Sequence, residues 1–329
     1  MILKVLVTGI LGFIGSRLAE ELVDEEYEVY GVVRRVANRN LEVIKSILKD
    51  ITLVSGDITD YVSIRNALKT VNPDIIVHLA ALSPVRDSFE RPFEYQQTNL
   101  LGTMNIAHAM LELPDPQTRK LIHASTAEVY GLQGKEPLKE NLTLKPSSPY
   151  AVSKVAADLY LQMMFQTYDL NGTILRPTNT YGRRFDTSFM VEYLVTQMLK
   201  GEKIYVGAPD SVRDYMYVDD HVNAYLTIMK SAKANGQVYN AGTGVGTSNR
   251  ELAGMVAEKI GYDKKRVMFG SYPPGYPYRP SISDQPSIVL DSTKIKRELD
   301  WAPKVSLNAG IDKVVSYFQK QIGKTRHRK

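Results

Sequence analysis

Thr8-Gly9-Ile10-Leu11-Gly12-Phe13-Ile14-Gly15 is the stretch from which the architecture can be read. It follows the apolar run Lys4-Val5-Leu6-Val7 and precedes an amphipathic segment that predicts a helix over 14–26. Glycines at 9, 12 and 15 permit a tight turn, close backbone approach to a phosphate and close helix–strand packing. The helix N-terminus then offers free N–H groups to a pyrophosphate. Strand before, helix after and glycines between point to a dinucleotide-binding turn built on Gly9, Gly12, Phe13, Ile14 and Gly15.

Outward from this turn, short β-branched runs predict strands over 4–8, 28–33, 51–54, 74–79, 120–124 and 172–175. Helical stretches fall between them over 61–70, 96–112 and 150–168. Continuous apolar strands separated by helices are the pattern of a parallel sheet covered on both faces, and right-handed crossovers make it doubly wound. After residue 180 the texture changes. Helices over 187–200, 219–232, 248–260 and 306–321 alternate with isolated short strands and Pro/Gly-rich loops, the densest at 271–280. The expected division is a nucleotide-binding unit over 1–180, a smaller mixed α/β substrate unit over 181–323 with interleaved boundaries, and a basic tail over 324–329.

Composition narrows the function classes. Of 329 residues, 43% are hydrophobic and 23% charged, ordinary values for a globular chain. There is no cysteine, which excludes disulfides, thiolate metal sites and cysteine nucleophiles. The net charge of +5 comes from scattered basic residues and the terminal run, not from a stripe or patch, so nucleic acid is not an expected partner. No run approaches the ~18 apolar residues of a membrane span, and Met1 leads directly into an apolar strand, so no membrane is expected and a cytoplasmic location is. The five histidines show no metal-ligand spacing, and no metal is expected.

Other strand ends carry candidates. The second strand ends at Arg34-Arg35, with Arg39 close by, where an acidic residue would hold the ribose hydroxyls of NAD. Guanidinium groups suit a 2′-phosphate, so NADP is favoured and NAD is the alternative. Asp57 and Ile58 follow the third strand and are placed beside the adenine; Leu79, Ala80 and Ala81 follow the fourth and are placed beside the cofactor. The fifth ends in Ser125-Thr126-Ala127-Glu128, and Tyr150 and Lys154 stand four apart on a helix, sharing one face. A neighbouring ammonium favours phenolate, which is expected to lower the Tyr150 pKa towards neutrality.

Together the glycine turn, the Ser-Thr-x-Glu strand end and the YxxxK helix resemble the extended short-chain dehydrogenase/reductase family, and within it the nucleotide-sugar-modifying enzymes. Arg176-Pro177-Thr178-Asn179-Thr180-Tyr181-Gly182, the stretch from Arg213 to Asp220, and Leu299-Asp300-Trp301-Ala302-Pro303 extend the likeness over most of the chain. The resemblance implies a Rossmann-type doubly wound sheet with a smaller C-terminal substrate domain. The Thr126-x-Glu128 pair looks like the 4,6-dehydratases. Ala127 departs from the Thr-Asp-Glu of the dTDP-glucose type and looks more like GDP-mannose 4,6-dehydratase, as do Arg34-Arg35 and Arg183-Arg184.

A 4,6-dehydratase with GDP-mannose as first choice is therefore the expected activity. By resemblance, Tyr150 takes the O4 proton with help from Lys154 and Thr126, and Glu128 takes the C5 proton before water leaves from C6. Pro177 is placed beside the cofactor. Ser83, Thr126, Asn179 and Arg184 are placed at the substrate, with Arg213 and Arg279 clamping its diphosphate. A nucleotide-sugar 4-epimerase of the UDP-glucose/galactose type is the alternative, followed by a 4-keto-6-deoxysugar reductase and a uronate decarboxylase. A dinucleotide-sensing binding protein is the non-enzymatic one. The family pairs the helices over 96–112 and 150–168 between subunits, so a homodimer or homotetramer is expected.

Overall fold

The computed structural model describes residues 2–34, 41–134, 137–273, 275, 280 and 285–326. Its main sheet is built from β1 (Lys4–Thr8), β2 (Glu28–Val33), β3 (Ile51–Ser55), β4 (Ile75–His78), β5 (Lys120–Ala124) and β6 (Gly172–Pro177), joined by α1 (Phe13–Asp24), α2 (Tyr61–Val71), α3 (Asp87–Glu90), α4 (Pro92–Tyr95), α5 (Gly102–Leu111) and α6 (Pro149–Thr167). The remaining strands are β7 (Asn179–Tyr181), β8 (Ile204–Val206), β9 (Val212–Tyr217), β10 (Gln237–Ala241), β11 (Gly246–Ser248), β12 (Val267–Phe269) and β13 (Ser287–Ile288). Between and after them come α7 (Met190–Lys200), α8 (Val218–Met229), α9 (Asn249–Ile260), α10 (Thr293–Leu299) and α11 (Leu307–Arg326).

Seven parallel strands run in the order β10-β6-β5-β4-β1-β2-β3. The continuous apolar runs serve both faces: Val5 and Val7 of β1 join one core layer with α1 and α8, while Leu6 joins the other with α2, α5 and α6. Strand order reverses between β1 and β4, the switch point where this architecture opens a crevice. A smaller mixed α/β region packs a separate core from α7, α9 and α11 around β7, β8 and β9.

Three sequence expectations change. The seventh strand, β10, comes from the second half of the chain, its short run too brief to betray a place beside β6. The helix expected over 96–112 is broken: Gln96–Leu101 is a π-helical segment before α5. The strand expected over 74–79 is confined to Ile75–His78, because Leu79 and Ala80 turn away, both backbone N–H groups donating to Thr8 Oγ1. The closing motif is a latch. Trp301 is buried and its indole donates to the Asp220 carbonyl at 3.3 Å, while the Asp220 carboxylate accepts from the N–H groups of Lys304 and Val305.

Candidate active site

A cavity of about 780 Å³ opens at the C-terminal ends of β1, β4, β5 and β6. One wall is the glycine turn. Gly9 has φ +74°, and a Cβ there would lie 2.8 Å from the Ala80 nitrogen. At Gly15 a Cβ would fall 2.2 Å from the Gly9 carbonyl oxygen. Only glycine permits that approach. Gly12 caps α1 with no side-chain hydrogen bond, and the first turn holds no acidic residue, so its N–H groups are left for an anion. Gly9, Gly12, Phe13, Ile14 and Gly15 all line the cavity, as the residues of a dinucleotide cradle should.

The opposite wall carries the acid–base candidates. Ser148 caps α6 by accepting from the Ala151 N–H at 3.1 Å, with Pro149 in the first turn, so the helix starts where Tyr150 must point inward. Thr126, Glu128, Tyr150 and Lys154 all line the cavity. The Tyr150 phenol is hydrogen-bonded to the Thr126 side chain. Thr126 Oγ1 also accepts from the Glu128 N–H at 3.2 Å, capping the 3-10 turn Ala127–Tyr130.

The expected lowering of the Tyr150 pKa is not what the structure gives. Burial pushes the phenol up, the Thr126 hydrogen bond opposes this, and the Glu128 charge adds to it. Burial also draws Lys154 down to about 8 although Asp158 favours its charged form, and its Nζ donates to the Ala124 carbonyl at 2.7 Å. Desolvation is the largest influence on both groups, and at the phenol it outweighs the Thr126 hydrogen bond.

Other expected residues divide. Leu79, Ala81, Ser83, Pro177, Asn179 and Arg184 line the cavity. Arg184 Nη1, however, donates to Glu20 at 2.9 Å. Ala80, Asp57 and Ile58 stand outside the wall. The Asp57 carboxylate accepts from the N–H and hydroxyl of Thr59, and Ile58 is buried, as strand-end packing would have it. Arg34 is exposed and also outside the wall. Arg213, expected at the diphosphate, is buried outside it on β9, with Nη1 donating to the Val212 carbonyl at 2.8 Å. Arg35, Arg39 and Arg279 lie outside the described residues. Among the described residues no group of three or more metal-binding side chains occurs, and no helix is long and apolar enough to cross a membrane.

Sequence reading missed several supports. Arg183 lines the cavity between the rings of Phe13 and Phe189, its guanidinium carbon 4.5 and 3.5 Å from their centroids. Tyr95 meets the Tyr150 ring edge-on at 6.2 Å. Asn99, in the π-helical segment, binds both the N–H and carbonyl of Leu82 and donates to Ser153 Oγ at 2.9 Å, tying the loop after β4 to α6. Gln285 donates to Glu128 Oε2 at 2.9 Å. The paired Arg183-Arg184 was the only signal available among them.

Comparison with known proteins agrees with this geometry. The family model described as GDP-mannose 4,6 dehydratase matches residues 6–314. A UDP-glucose 4-epimerase of Mycolicibacterium smegmatis is 34% identical over 96% of this chain and 99% of its own. The crystal structure of a Thermotoga maritima UDP-glucose 4-epimerase with UDP-glucose superposes with a TM-score of 0.86 at 31% identity, covering 97% of this chain and 99% of that one. A dTDP-glucose 4,6-dehydratase of Streptomyces venezuelae with NAD bound gives 0.85 at 29% identity, covering 97% and 98%. The chain thus belongs to the extended short-chain dehydrogenase/reductase family of nucleotide-sugar 4,6-dehydratases and epimerases, and is an NAD(P)-dependent enzyme of nucleotide-sugar chemistry.

Proposed function

We propose that the chain inverts C4 of a nucleotide-linked hexose through a transient 4-ketone, as a nucleotide-sugar 4-epimerase of the UDP-glucose/galactose type. The observation that carries the reading is the Tyr150 phenol, hydrogen-bonded to Thr126 and set with Lys154 in the cavity that the glycine turn walls. Similarity to UDP-glucose 4-epimerases supports it over the GDP-mannose 4,6-dehydratase expected from the sequence. A dinucleotide held by Gly9, Gly12, Phe13, Ile14 and Gly15 would supply the acceptor for the C4 hydride and the hydride that reduces the ketone again. Tyr150 removes the O4 proton and later restores it, Thr126 hydrogen-bonds the reacting oxygen, and Lys154, one turn on along α6 and drawn down to about 8 by burial, is the cation available when the phenol gives up its proton.

The second reading, a 4,6-dehydratase, rests on Glu128. Its carboxylate lines the same cavity and accepts from Gln285, which suits a base for the C5 proton. Product mass separates the two: UDP-glucose, dTDP-glucose and GDP-mannose are each incubated with the protein. An isomer of unchanged mass supports the epimerase, and loss of one water the dehydratase. Glu128→Gln sharpens the test. An epimerase keeps turnover within a few-fold, because C5 is untouched. A dehydratase loses its product while reduced-nicotinamide absorbance builds and persists.

Cofactor choice and assembly complete the proposal. Arg34, exposed just after β2 and outside the cavity wall, supports NADP over NAD through its charge, which suits a 2′-phosphate. Arg34→Ala is expected to weaken NADP about tenfold or more and NAD little, a charge-assisted hydrogen bond being worth ~1.5–3 kcal/mol; titration calorimetry with both cofactors reads it. Equal affinities before and after would leave Arg34 a solvated loop residue. Exposed Leu101, Val152, Leu159 and Met163, on the π-helical segment and α6, support a self-associating face, so sedimentation should give at least twice the chain mass.

A further inference from the structure

His78 closes β4 and is 2% exposed, with both ring nitrogens engaged. Nδ1 lies 2.8 Å from Thr8 Oγ1 at the end of β1, and Nε2 lies 3.0 Å from Thr103 Oγ1 on α5. Burial, and then the Lys154 charge, draw His78 down to about 3, so the ring is neutral and carries one N–H.

The neighbouring bonds place that proton from both sides. The Thr103 hydroxyl donates to the Asn99 carbonyl at 2.6 Å, so towards the ring it accepts, and Nε2 is the donor. Thr8 Oγ1 already accepts from the Leu79 and Ala80 N–H groups at 3.1 and 3.2 Å, which leaves its own proton for Nδ1. The opposite tautomer would set three donors against the two lone pairs of Thr8 and leave the Thr8 proton without an acceptor among the described residues. What Thr8 holds borders the cavity. Leu79 and Ala81 line it, and the Ala80 nitrogen between them is the atom 2.8 Å from where a Gly9 Cβ would lie. The loop after β4 and the glycine turn therefore touch backbone to backbone, with the Thr8 hydroxyl bonded across the join.

We propose that His78 is a positioning residue for the dinucleotide: by taking the Thr8 proton it commits Thr8 Oγ1 to the Leu79 and Ala80 N–H groups, and so fixes the Leu79–Ala81 wall against the glycine turn. His78 itself stands outside the cavity wall. Its Nε2–H anchors the ring to α5, beside the Asn99 segment that holds Leu82 and Ser153, so the wall is also set relative to α6. The proposal rests on the dinucleotide reading of the cavity and adds to it a residue that touches no ligand.

Two amides that each copy one ring nitrogen test it. In His78→Asn the side-chain oxygen reaches the position of Nδ1 and keeps the Thr8 bond; in His78→Gln the side-chain nitrogen reaches the position of Nε2 and keeps only the Thr103 bond. Asparagine is the smaller and leaves the larger void, so His78→Asn should melt at the lower temperature. Affinity should rank the other way. Calorimetry on the cofactor-free chain should give NAD and NADP binding within about twofold of wild type for His78→Asn, and about threefold to tenfold weaker for His78→Gln, the worth of one neutral hydrogen bond. Turnover at saturating dinucleotide should stay within a few-fold in both, because Thr126, Tyr150 and Lys154 keep their contacts. Thr8→Val and Thr8→Ser repeat the comparison with the histidine intact, and decide it should either His78 variant fail to fold. Valine, without a hydroxyl, should weaken both cofactors at least as much as His78→Gln, and serine should restore them. Affinity that falls in step with melting temperature would make His78 core packing alone and overturn the proposal. Wild-type affinity in His78→Gln or Thr8→Val would overturn it too. Failure of the wild type to bind either NAD or NADP would instead reject the dinucleotide reading, and this proposal with it.

Discussion

Replacing Tyr150 with phenylalanine is expected to lower kcat by about 10²–10⁴-fold, the usual worth of a positioned acid–base group. Cofactor affinity should change by no more than a few-fold. The substitution removes one oxygen and keeps the ring that Tyr95 meets edge-on, so the packing of α4 against α6 survives. Thr126 is not orphaned either, because its Oγ1 still accepts from the Glu128 N–H. A buried hydroxyl partly freed of its partner is thus the only structural change, and the melting temperature should move little. Steady-state turnover, calorimetric cofactor binding and a melt on the same preparation separate chemistry from folding. Turnover within a few-fold of wild type would remove Tyr150 from the reaction under both the epimerase and the dehydratase readings.

The parts of this site legible in the sequence are those whose chemistry is local. Gly9, Gly12 and Gly15 occupy one turn, and Tyr150 and Lys154 one helix face, so spacing alone brings them together. Parallel strands were legible because Val5, Leu6 and Val7 must be apolar in succession to serve two core layers. What escaped depends on distant segments meeting. Gln285 reaches Glu128 across 157 residues, and β10 finds β6 only because the chain returns after building the smaller region. The break at Gln96–Leu101 is invisible to periodicity, since it is the tie from Asn99 to Leu82 and Ser153 that accompanies it. Arg213 stands outside the cavity wall for a related reason: where a β9 side chain turns is set by the pairing of β9 with β11 and β13, which no local motif shows.

Asp158→Ala should produce the largest loss of stability among these substitutions, about 3–5 kcal/mol, the cost of stranding a buried charge. Asp158 follows Tyr150 and Lys154 at the same four-residue stride on α6, and its side chain is fully buried. Its carboxylate accepts from Arg176 Nε at 2.9 Å and Nη2 at 3.2 Å, from Ser125 Oγ at 2.9 Å and from Gln162 at 2.9 Å. Arg176, 3% exposed on β6, gives its remaining Nη1 to the Tyr130 hydroxyl and the Glu140 carbonyl. Tyr130 in turn donates to Asn240 on β10. One carboxylate therefore links α6, the end of β5, β6 and, through Arg176 and Tyr130, the strand from the second half of the chain. Alanine leaves the guanidinium buried with only a neutral phenol and the Glu140 carbonyl as partners, where arginine cannot shed its proton. The denaturant midpoint of the cofactor-free protein reads the effect. Asp158→Leu combined with Arg176→Met should recover most of the loss, because replacing both partners by apolar groups removes the stranded charge. A loss below about 1 kcal/mol for the single alanine variant would mean that water reaches Arg176, and that the network tying α6 to β10 contributes little to holding Tyr150 in place.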